Sequence, residues 1–165
     1  MRHRLIPALA AACLVLAAGA CSDDGGPERD DDGAIVEGDD LGAFDMEVGD
    51  CFNDPEGMEL GTQSTVLQLP AVPCGDPHDN EVFALIDLED GDYPGVEDVS
   101  EEGFMRCMDE FEGYVGAAYD ETDLIFDPYL YPTEQTWEAG DREVVCALYN
   151  ADLSKLTGSM AESAG

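Results

Sequence analysis

The stretch VPCGDPHDNEVFAL, residues 72–85, carries the strongest structural signal in the chain. It leads into five consecutive apolar residues, 82–86, and a short apolar run bounded by turn residues predicts a strand that is covered on both faces. Ahead of that run, Cys74 and His78 lie four residues apart. This spacing is open to three interpretations, namely a nucleophile with its base, two metal ligands, or parts of a scaffold.

The N-terminus, MRHRLIPALAAACLVLAAGAC, has the layout of an export signal. A basic head with Arg2 and Arg4 precedes an apolar run that is too short to span a membrane comfortably. The run ends in AGAC, residues 18–21, which resembles the lipobox of bacterial lipoproteins. We therefore predict a lipoprotein signal peptide over residues 1–20 and a diacyl anchor on Cys21, which would hold the protein outside the cytoplasm on the cell membrane.

The chain is strongly acidic, with 39 Asp and Glu against six Lys and Arg and a net charge of −33. Such a field repels phosphate backbones, so we predict no nucleic-acid binding, and a charged partner should be cationic. Acids and glycines dominate the segment after Cys21, which predicts a disordered acidic tether over residues 21–43. The domain itself is predicted over 44–159, followed by a frayed tail over 160–165.

Four strands are predicted within the domain. A short strand lies around 46–52, and the next is confined to a sheet edge by Pro70 and Pro73. The apolar strand that follows Asn80 should be buried. A hairpin over 136–150, turning at Gly140 and Asp141, ends in a strand that should be central because both of its faces are apolar.

One helix is predicted between these strands. Ser100 is its expected N-cap, and Phe104, Cys107, Phe111 and Val115 form an apolar stripe at helical spacing. Strands before and after a single helix predict an α+β fold, with a small, mostly antiparallel sheet, one main helix packed on it and two disulfides.

Four cysteines in the domain indicate a disulfide framework, because the count is even and the chain is predicted to be exported. Of the three possible pairings we favour Cys51 with Cys74, which joins two early strands, and Cys107 with Cys146, which ties the helix to the strand beneath it. Each would contribute about 3 to 4 kcal/mol by closing its loop. A zinc site that includes His78 lacks close Cys-x-x-Cys spacing, and a Cys–His dyad lacks a family signature. We therefore predict no catalytic residue, no metal site and no cofactor.

Two further patterns leave alternatives open. The clustered acids, including an imperfect EF-hand template over 28–39 and the run DLEDGD at 87–92, suggest a calcium- or cation-binding envelope lipoprotein as the alternative function. Trp137, with Tyr129 and Tyr131 nearby, could form an exposed aromatic patch, but core packing is the favoured interpretation.

Three short motifs occur in order along the domain: VGDCF with Gly49 and Asp50, CxxPHxxEV with Pro77, His78 and Glu81, and WxxGDRxVxC with Trp137, Gly140, Asp141 and Arg142. Together with the four cysteines, these motifs resemble the septum-formation domain family of actinobacterial exported lipoproteins and membrane proteins. The resemblance implies an extracytoplasmic domain that is linked to division septa and has no established catalytic activity.

From the residues and the resemblance together, we predict a non-enzymatic, lipid-anchored extracytoplasmic domain. It would bind an unknown envelope protein or cell-wall component and act in septum formation or cell-wall biogenesis. Its motif residues would serve the scaffold or contact that partner.

Overall fold

The structure is a computed structural model that describes residues 26–55 and 68–163. The predicted signal peptide and Cys21 lie outside the described residues. Within the described part of the chain, no helix has the length and apolar character needed to cross a membrane.

Eight strands and two α-helices make up the described chain. The strands are β1 (Glu28–Arg29), β2 (Ile35–Glu37), β3 (Asp40–Gly42), β4 (Cys51–Phe52), β5 (Gln68–Val72), β6 (Asn80–Asp87), β7 (Leu124–Leu130) and β8 (Glu143–Asn150), and the helices are α1 (Val96–Val115) and α2 (Glu134–Glu138). Strands β1 and β2 form a separate hairpin, and the other six form one sheet in the order β3-β5-β4-β6-β8-β7. All neighbours in this sheet are antiparallel, which confirms the predicted α+β fold.

The centre of the sheet has an apolar core on each face. Helix α1 covers one face, where Phe111 packs with Phe83 and Leu148 of β6 and β8. Val82 and Val145 point to the other core. The central position predicted for β8 is confirmed, because β6 and β7 flank it on its two sides.

Helix α1 lies very close to the sheet at Gly103. A Cβ atom at this position would lie 3.1 Å from Cγ1 of Val144 and 3.3 Å from Cβ of Pro128. Glycine therefore allows a separation between helix and sheet that a larger residue would prevent. The favoured disulfides are both present, Cys51–Cys74 with a Cα–Cα distance of 5.2 Å and Cys107–Cys146 with one of 5.6 Å.

The predicted start and face of the helix were partly wrong. Helix α1 begins at Val96 with Gly95 as its N-cap, so Ser100 lies inside the helix. Its buried positions are spaced by four residues and include Val99 and Gly103, while Phe104 is more than a third exposed and stacks on Phe126 from outside the core. The bulk of Phe104 suggested a core position, but the small Gly103 occupies it.

The tether prediction was wrong over residues 26–43, which form β1, β2 and β3. Ile35 and Leu41 are buried in the second core, and β3 pairs with β5. Strand β5 is therefore not an edge strand, despite Pro70. The composition of this segment is acidic, but a few apolar side chains and the Arg29–Asp50 ion pair hold it against the sheet.

Two other predictions of local structure differ from the fold. Residues 124–130, which lie between the predicted helix and the predicted hairpin, form edge strand β7, where Pro128 is tolerated because an edge strand has one unpaired side. Trp137 lies in α2 rather than in a hairpin arm. The tail is also held at its start, because the Met160 and Glu162 backbone N–H groups donate to Glu81 and to the Tyr114 carbonyl.

Candidate functional site

The residues of the three motifs lie at two opposite ends of β6. Glu81 is near the start of the strand and Asp87 is its last residue, six positions later. At about 3.3 Å per residue, the two ends are roughly 20 Å apart. The first two motifs meet at the Glu81 end, and the third lies at the Asp87 end, so the predicted site residues do not converge on one site.

At the first end, Glu81 is completely buried and accepts three hydrogen bonds. The hydroxyls of Tyr114 and Ser159 donate to Oε1 at 2.6 and 2.5 Å, and the Met160 N–H donates to Oε2 at 2.7 Å. Burial, followed by the hydrogen bond to Glu81, raises the pKa of Tyr114. The carboxylate therefore joins β6 to the helix and to the C-terminal segment, and no local sequence pattern indicated these partners.

His78 lies beside Glu81 and is also completely buried. Its Nδ1 lies 2.8 Å from the Asp76 carbonyl oxygen, which can only accept, so Nδ1 carries the proton. In the neutral ring Nε2 is then a hydrogen-bond acceptor. It is buried with no hydrogen-bond partner in the described structure. The His78 backbone pairs in both directions with Leu156, at 3.1 and 2.8 Å. Nδ1 and the main chain of His78 thus tie its loop to backbone groups, but this role leaves Nε2 unexplained.

Sulfur, imidazole and carboxylate come together at this end. One ligand atom each of Cys51, His78 and Glu81 lies within 4.8 Å of the others, and all three residues are buried. No other group of three or more such side chains in the described ranges is close enough to share an ion. Cys51 is bonded to Cys74, however, so it offers no thiolate in this state.

Asp50 of the first motif is a buried carboxylate with an arginine partner. Arg29 donates to both of its oxygens, at 2.6 and 2.8 Å, and the Glu47 N–H donates to one of them at 2.8 Å. The hydrogen bond to Asp50 is the main reason that the pKa of Arg29 is raised. This bidentate pair attaches the hairpin of β1 and β2 to the sheet. The neighbouring Gly49 has a φ of 97°, a conformation that favours glycine, while Pro77 is exposed in the turn before His78.

The other residues of the third motif pack around Trp137. The indole is buried, its Nε1 donates to the Gly91 carbonyl at 2.9 Å, and the Arg142 guanidinium lies 3.8 Å from the ring centroid. Arg142 also donates to the Trp137 carbonyl at 2.9 Å, and its Nε forms an ion pair with Asp90 at 3.3 Å. The core-packing interpretation of Trp137 is therefore confirmed. Gly140 lies just beyond α2 with a φ of 100°.

Beside Arg142 lies a shallow groove of about 470 Å³, which we call the acidic groove. The Phe44 ring is 65% exposed and borders it. Asp87 and Glu143 are direct cross-strand partners within it. Burial, and then repulsion from Asp87 and Asp141, raises the pKa of Glu143. The lining residues are Phe44, Asp87, Leu88, Asp90, Gly140, Asp141, Arg142 and Glu143.

The sequence did not single out Phe44, because an isolated phenylalanine at a composition boundary carries no signal of exposure. It also missed a polar group on the far side of the sheet. There the Tyr129 hydroxyl and Asn80 Nδ2 both donate to Asp54 Oδ1 at 2.7 Å. Burial and this carboxylate raise the pKa of Tyr129, which is a structural residue of the second core.

The fold and its motifs define a small α+β domain with two disulfides. Residues 39–146, well over half of the chain, match the family model described as septum formation, so the chain belongs to the septum-formation family. No curated protein sequence and no solved structure matches the chain. The resemblance predicted from the motifs is thus confirmed, and it associates the chain with septum formation at the cell envelope. The family is not a known enzyme family.

Proposed function

We propose that this chain is a non-enzymatic, lipid-anchored extracytoplasmic domain that binds a partner at the cell envelope during septum formation or cell-wall biogenesis. Family membership supports the process. The export signal with Cys21 supports the anchor, and two disulfides are typical of an oxidising compartment.

The main support for partner binding is the position of Phe44 beside the acidic groove. Single exposed apolar side chains are common and need no explanation. Phe44 differs because the groove that it borders is also lined by Gly140, Asp141 and Arg142 of the third family motif. A partner that covered Phe44 would therefore also contact this motif.

The charges of the groove indicate the chemistry of that partner. Asp87 and Glu143 face each other directly, and like charges at such positions destabilise a sheet by about 0.2–1 kcal/mol. A cationic group placed between them would remove this repulsion. We therefore propose a basic segment with an apolar side chain that packs on Phe44, either of an envelope protein or of a cationic wall component.

The folded N-terminal hairpin changes the expected distance from the membrane. Gly26 is the first described residue, five positions after Cys21. Five residues span at most about 18 Å, so a lipid on Cys21 would hold the domain near the bilayer surface rather than at the end of a long tether. The Arg29–Asp50 pair is part of this attachment.

Crosslinking pull-down from native membranes tests partner binding. A photoreactive residue at position 44 should capture one major species, and Phe44→Ala should lose that species in a chemical-crosslinking version of the experiment. Leu153→Ala is the matched control, because Leu153 is 63% exposed and follows β8 at the opposite end of the sheet. Equal capture by both alanine variants would refute the groove as the binding surface.

Membrane fractionation tests the anchor separately. Cys21→Ser should move the protein from the membrane fraction to the soluble extracytoplasmic fraction, because the acyl chains attach to that sulfur. If a Cys21→Ser variant from which residues 1–20 have been removed stays with membranes washed at high salt, the lipid anchor is wrong, whatever the result at Phe44.

A further inference from the structure

We propose that the Cys51–Cys74 disulfide masks a metal site, and that exchange with a dithiol exposes it. In the reduced state, Cys51, Cys74, His78 and Glu81 would bind one zinc-class ion. This site lies at the end of β6 opposite to the acidic groove, and the inference does not depend on the proposed partner.

The first observation is the buried Nε2 of His78. A buried polar atom without a partner destabilises the fold, and this one belongs to a side chain with no exposed surface. Because Nδ1 donates to the Asp76 carbonyl, it is Nε2 that holds the lone pair when the ring is neutral. A backbone carbonyl on the far nitrogen is the usual way in which proteins orient a metal-binding imidazole. A purely structural role of His78 accounts for Nδ1 but not for Nε2.

The second observation is the set of ligand atoms around the His78 ring. Atoms of Cys51, His78 and Glu81 lie within 4.8 Å of one another, and Cys74 Sγ is bonded to Cys51 Sγ. In a tetrahedral zinc site with bonds of about 2.0–2.3 Å, ligand atoms are roughly 3.3–3.8 Å apart, so a shift of about 1 Å brings these three atoms to that spacing. Cys74 Sγ would turn toward them once its bond to Cys51 Sγ is broken. Among residues 26–55 and 68–163, Glu81 Oε2 accepts from the Met160 N–H alone, which leaves it able to bind a cation.

The ligand types select the class of metal. Two thiolates, one imidazole and one carboxylate suit zinc, whereas calcium and magnesium require oxygen ligands. The same residues cannot bind such an ion while the sulfurs are bonded to each other. The oxidation state of this disulfide would therefore switch the site.

Access of a thiol to the two disulfides differs. Cys51, Cys107 and Cys146 have no exposed surface, whereas Cys74 is partly exposed in the turn before His78. A dithiol reductant would attack as a thiolate at Cys74 Sγ, forming a mixed disulfide and leaving the electron pair on Cys51 Sγ. Its second thiol then attacks the mixed disulfide, which frees the Cys74 thiolate and oxidises the reductant to a cyclic disulfide. The two protons from the reductant go to solvent when the thiolates bind the metal.

Zinc titration of the full chain tests the inference. The protein is reduced with dithiothreitol, the reductant is removed anaerobically, and zinc is titrated against a chromophoric chelator. The reduced protein should bind one zinc ion at least about 100-fold more tightly than the oxidised protein. His78→Gln should weaken binding of the reduced protein by at least about tenfold, since it removes the nitrogen ligand.

The matched control is the variant with both Cys51→Ser and Cys74→Ser, which keeps every other cysteine of the chain. After the same reduction it should bind zinc at least about 100-fold more weakly than the reduced wild-type protein. Equal binding by this variant would place the metal on other cysteines and overturn the inference. Absence of stoichiometric binding by the reduced wild-type protein would overturn it as well.

Cobalt spectroscopy keeps the test decisive if His78→Gln does not fold. Cobalt bound to the reduced wild-type protein should show thiolate charge-transfer absorption and the intense visible bands of a four-coordinate ion. Near-ultraviolet circular dichroism should match that of the oxidised protein once the metal is bound. A six-coordinate spectrum, or tertiary structure that is lost on reduction and not restored by the metal, would refute the site.

Discussion

At one end of β6, Glu81 is buried and accepts three hydrogen bonds, whereas at the other end Asp87 lies opposite Glu143 in a groove open to solvent. The two ends carry the same type of side chain on the same strand. What differs is the supply of donors, since a tyrosine, a serine and a backbone N–H converge on Glu81. A carboxylate with such partners stabilises the fold, while opposed carboxylates reduce stability and leave a charge that a partner can use.

The largest expected effect is at Glu81. Glu81→Ala should lower the free energy of unfolding by roughly 3 kcal/mol, because it removes a fully buried carboxylate that accepts three charge-assisted hydrogen bonds from partly buried donors. Asp87→Ala is the control on the same strand and should not lower the free energy of unfolding, because it removes the repulsion between Asp87 and Glu143. Denaturant unfolding measures both values, and similar effects at the two positions would remove the distinction between the two ends.

The second largest loss of stability is expected at Arg29, because its removal leaves Asp50 as a buried charge without its cationic partner. Arg29→Ala should cost about 2 kcal/mol, less than for a fully buried pair because Arg29 is partly exposed. It should also make residues near β1 and β2 sensitive to limited proteolysis. Arg106→Ala is the matched control: its pair with Glu102 is exposed on α1, so about 0.3–0.5 kcal/mol is expected. An unchanged proteolysis pattern in Arg29→Ala would show that the hairpin is held by apolar contacts alone.

Tyr114→Phe should cost about 1–2 kcal/mol at neutral pH, since it removes one charge-assisted hydrogen bond to Glu81. The pKa of Tyr114 is raised in the folded state, so its contribution is complete below the unfolded pKa of about 10 and is lost as the pH rises further. The difference between wild type and Tyr114→Phe should therefore shrink above pH ~10. Tyr131→Phe, at a half-buried tyrosine that packs on the main core, controls for the change of ring chemistry. If the stability difference between wild type and Tyr114→Phe grew at alkaline pH, the raised pKa of Tyr114 in the folded state would be contradicted.

The smallest effect is expected in the groove, and it has the opposite sign. Glu143→Gln should stabilise the fold by about 0.2–1 kcal/mol at neutral pH, because it removes repulsion from Asp87. The pKa of Glu143 is raised above its usual 4.5, so protonation of the wild-type residue stabilises the fold as the pH falls. The advantage of Glu143→Gln should then disappear below that usual value.

Glu110→Gln serves as the control for Glu143→Gln, because it makes the same change in net charge at an exposed position on α1. Unfolding curves at several pH values should show little effect of Glu110→Gln. In pull-down experiments, Glu143→Gln should weaken capture of the cationic partner while Glu110→Gln leaves it unchanged. Destabilisation by Glu143→Gln at neutral pH would show that this carboxylate has a structural role.

Much of the fold could be predicted because its signals are local. The apolar run of β6, the two apolar faces of β8 and the spacing of Cys107, Phe111 and Val115 all follow from neighbouring residues. The pairing of the cysteines also followed, because the predicted helix had to cover the predicted central strand. Residues 26–43 were misjudged because composition averages over a segment, and Ile35 and Leu41 are too few to alter that average.

By itself, the sequence determined the α+β class, the two disulfides and the family, since each depends on periodicity, residue count or short motifs. Only the tertiary structure decided which carboxylates are structural. Glu81 accepts a hydrogen bond from Ser159, which is 78 positions away in the chain, and Asp50 accepts one from Arg29, which is 21 positions away. No local sequence pattern indicates such contacts. It also separated the third motif from the other two and left Phe44 exposed beside it. Burial and the supply of hydrogen-bond donors depend on segments distant in the chain, so they exist only once the chain has folded.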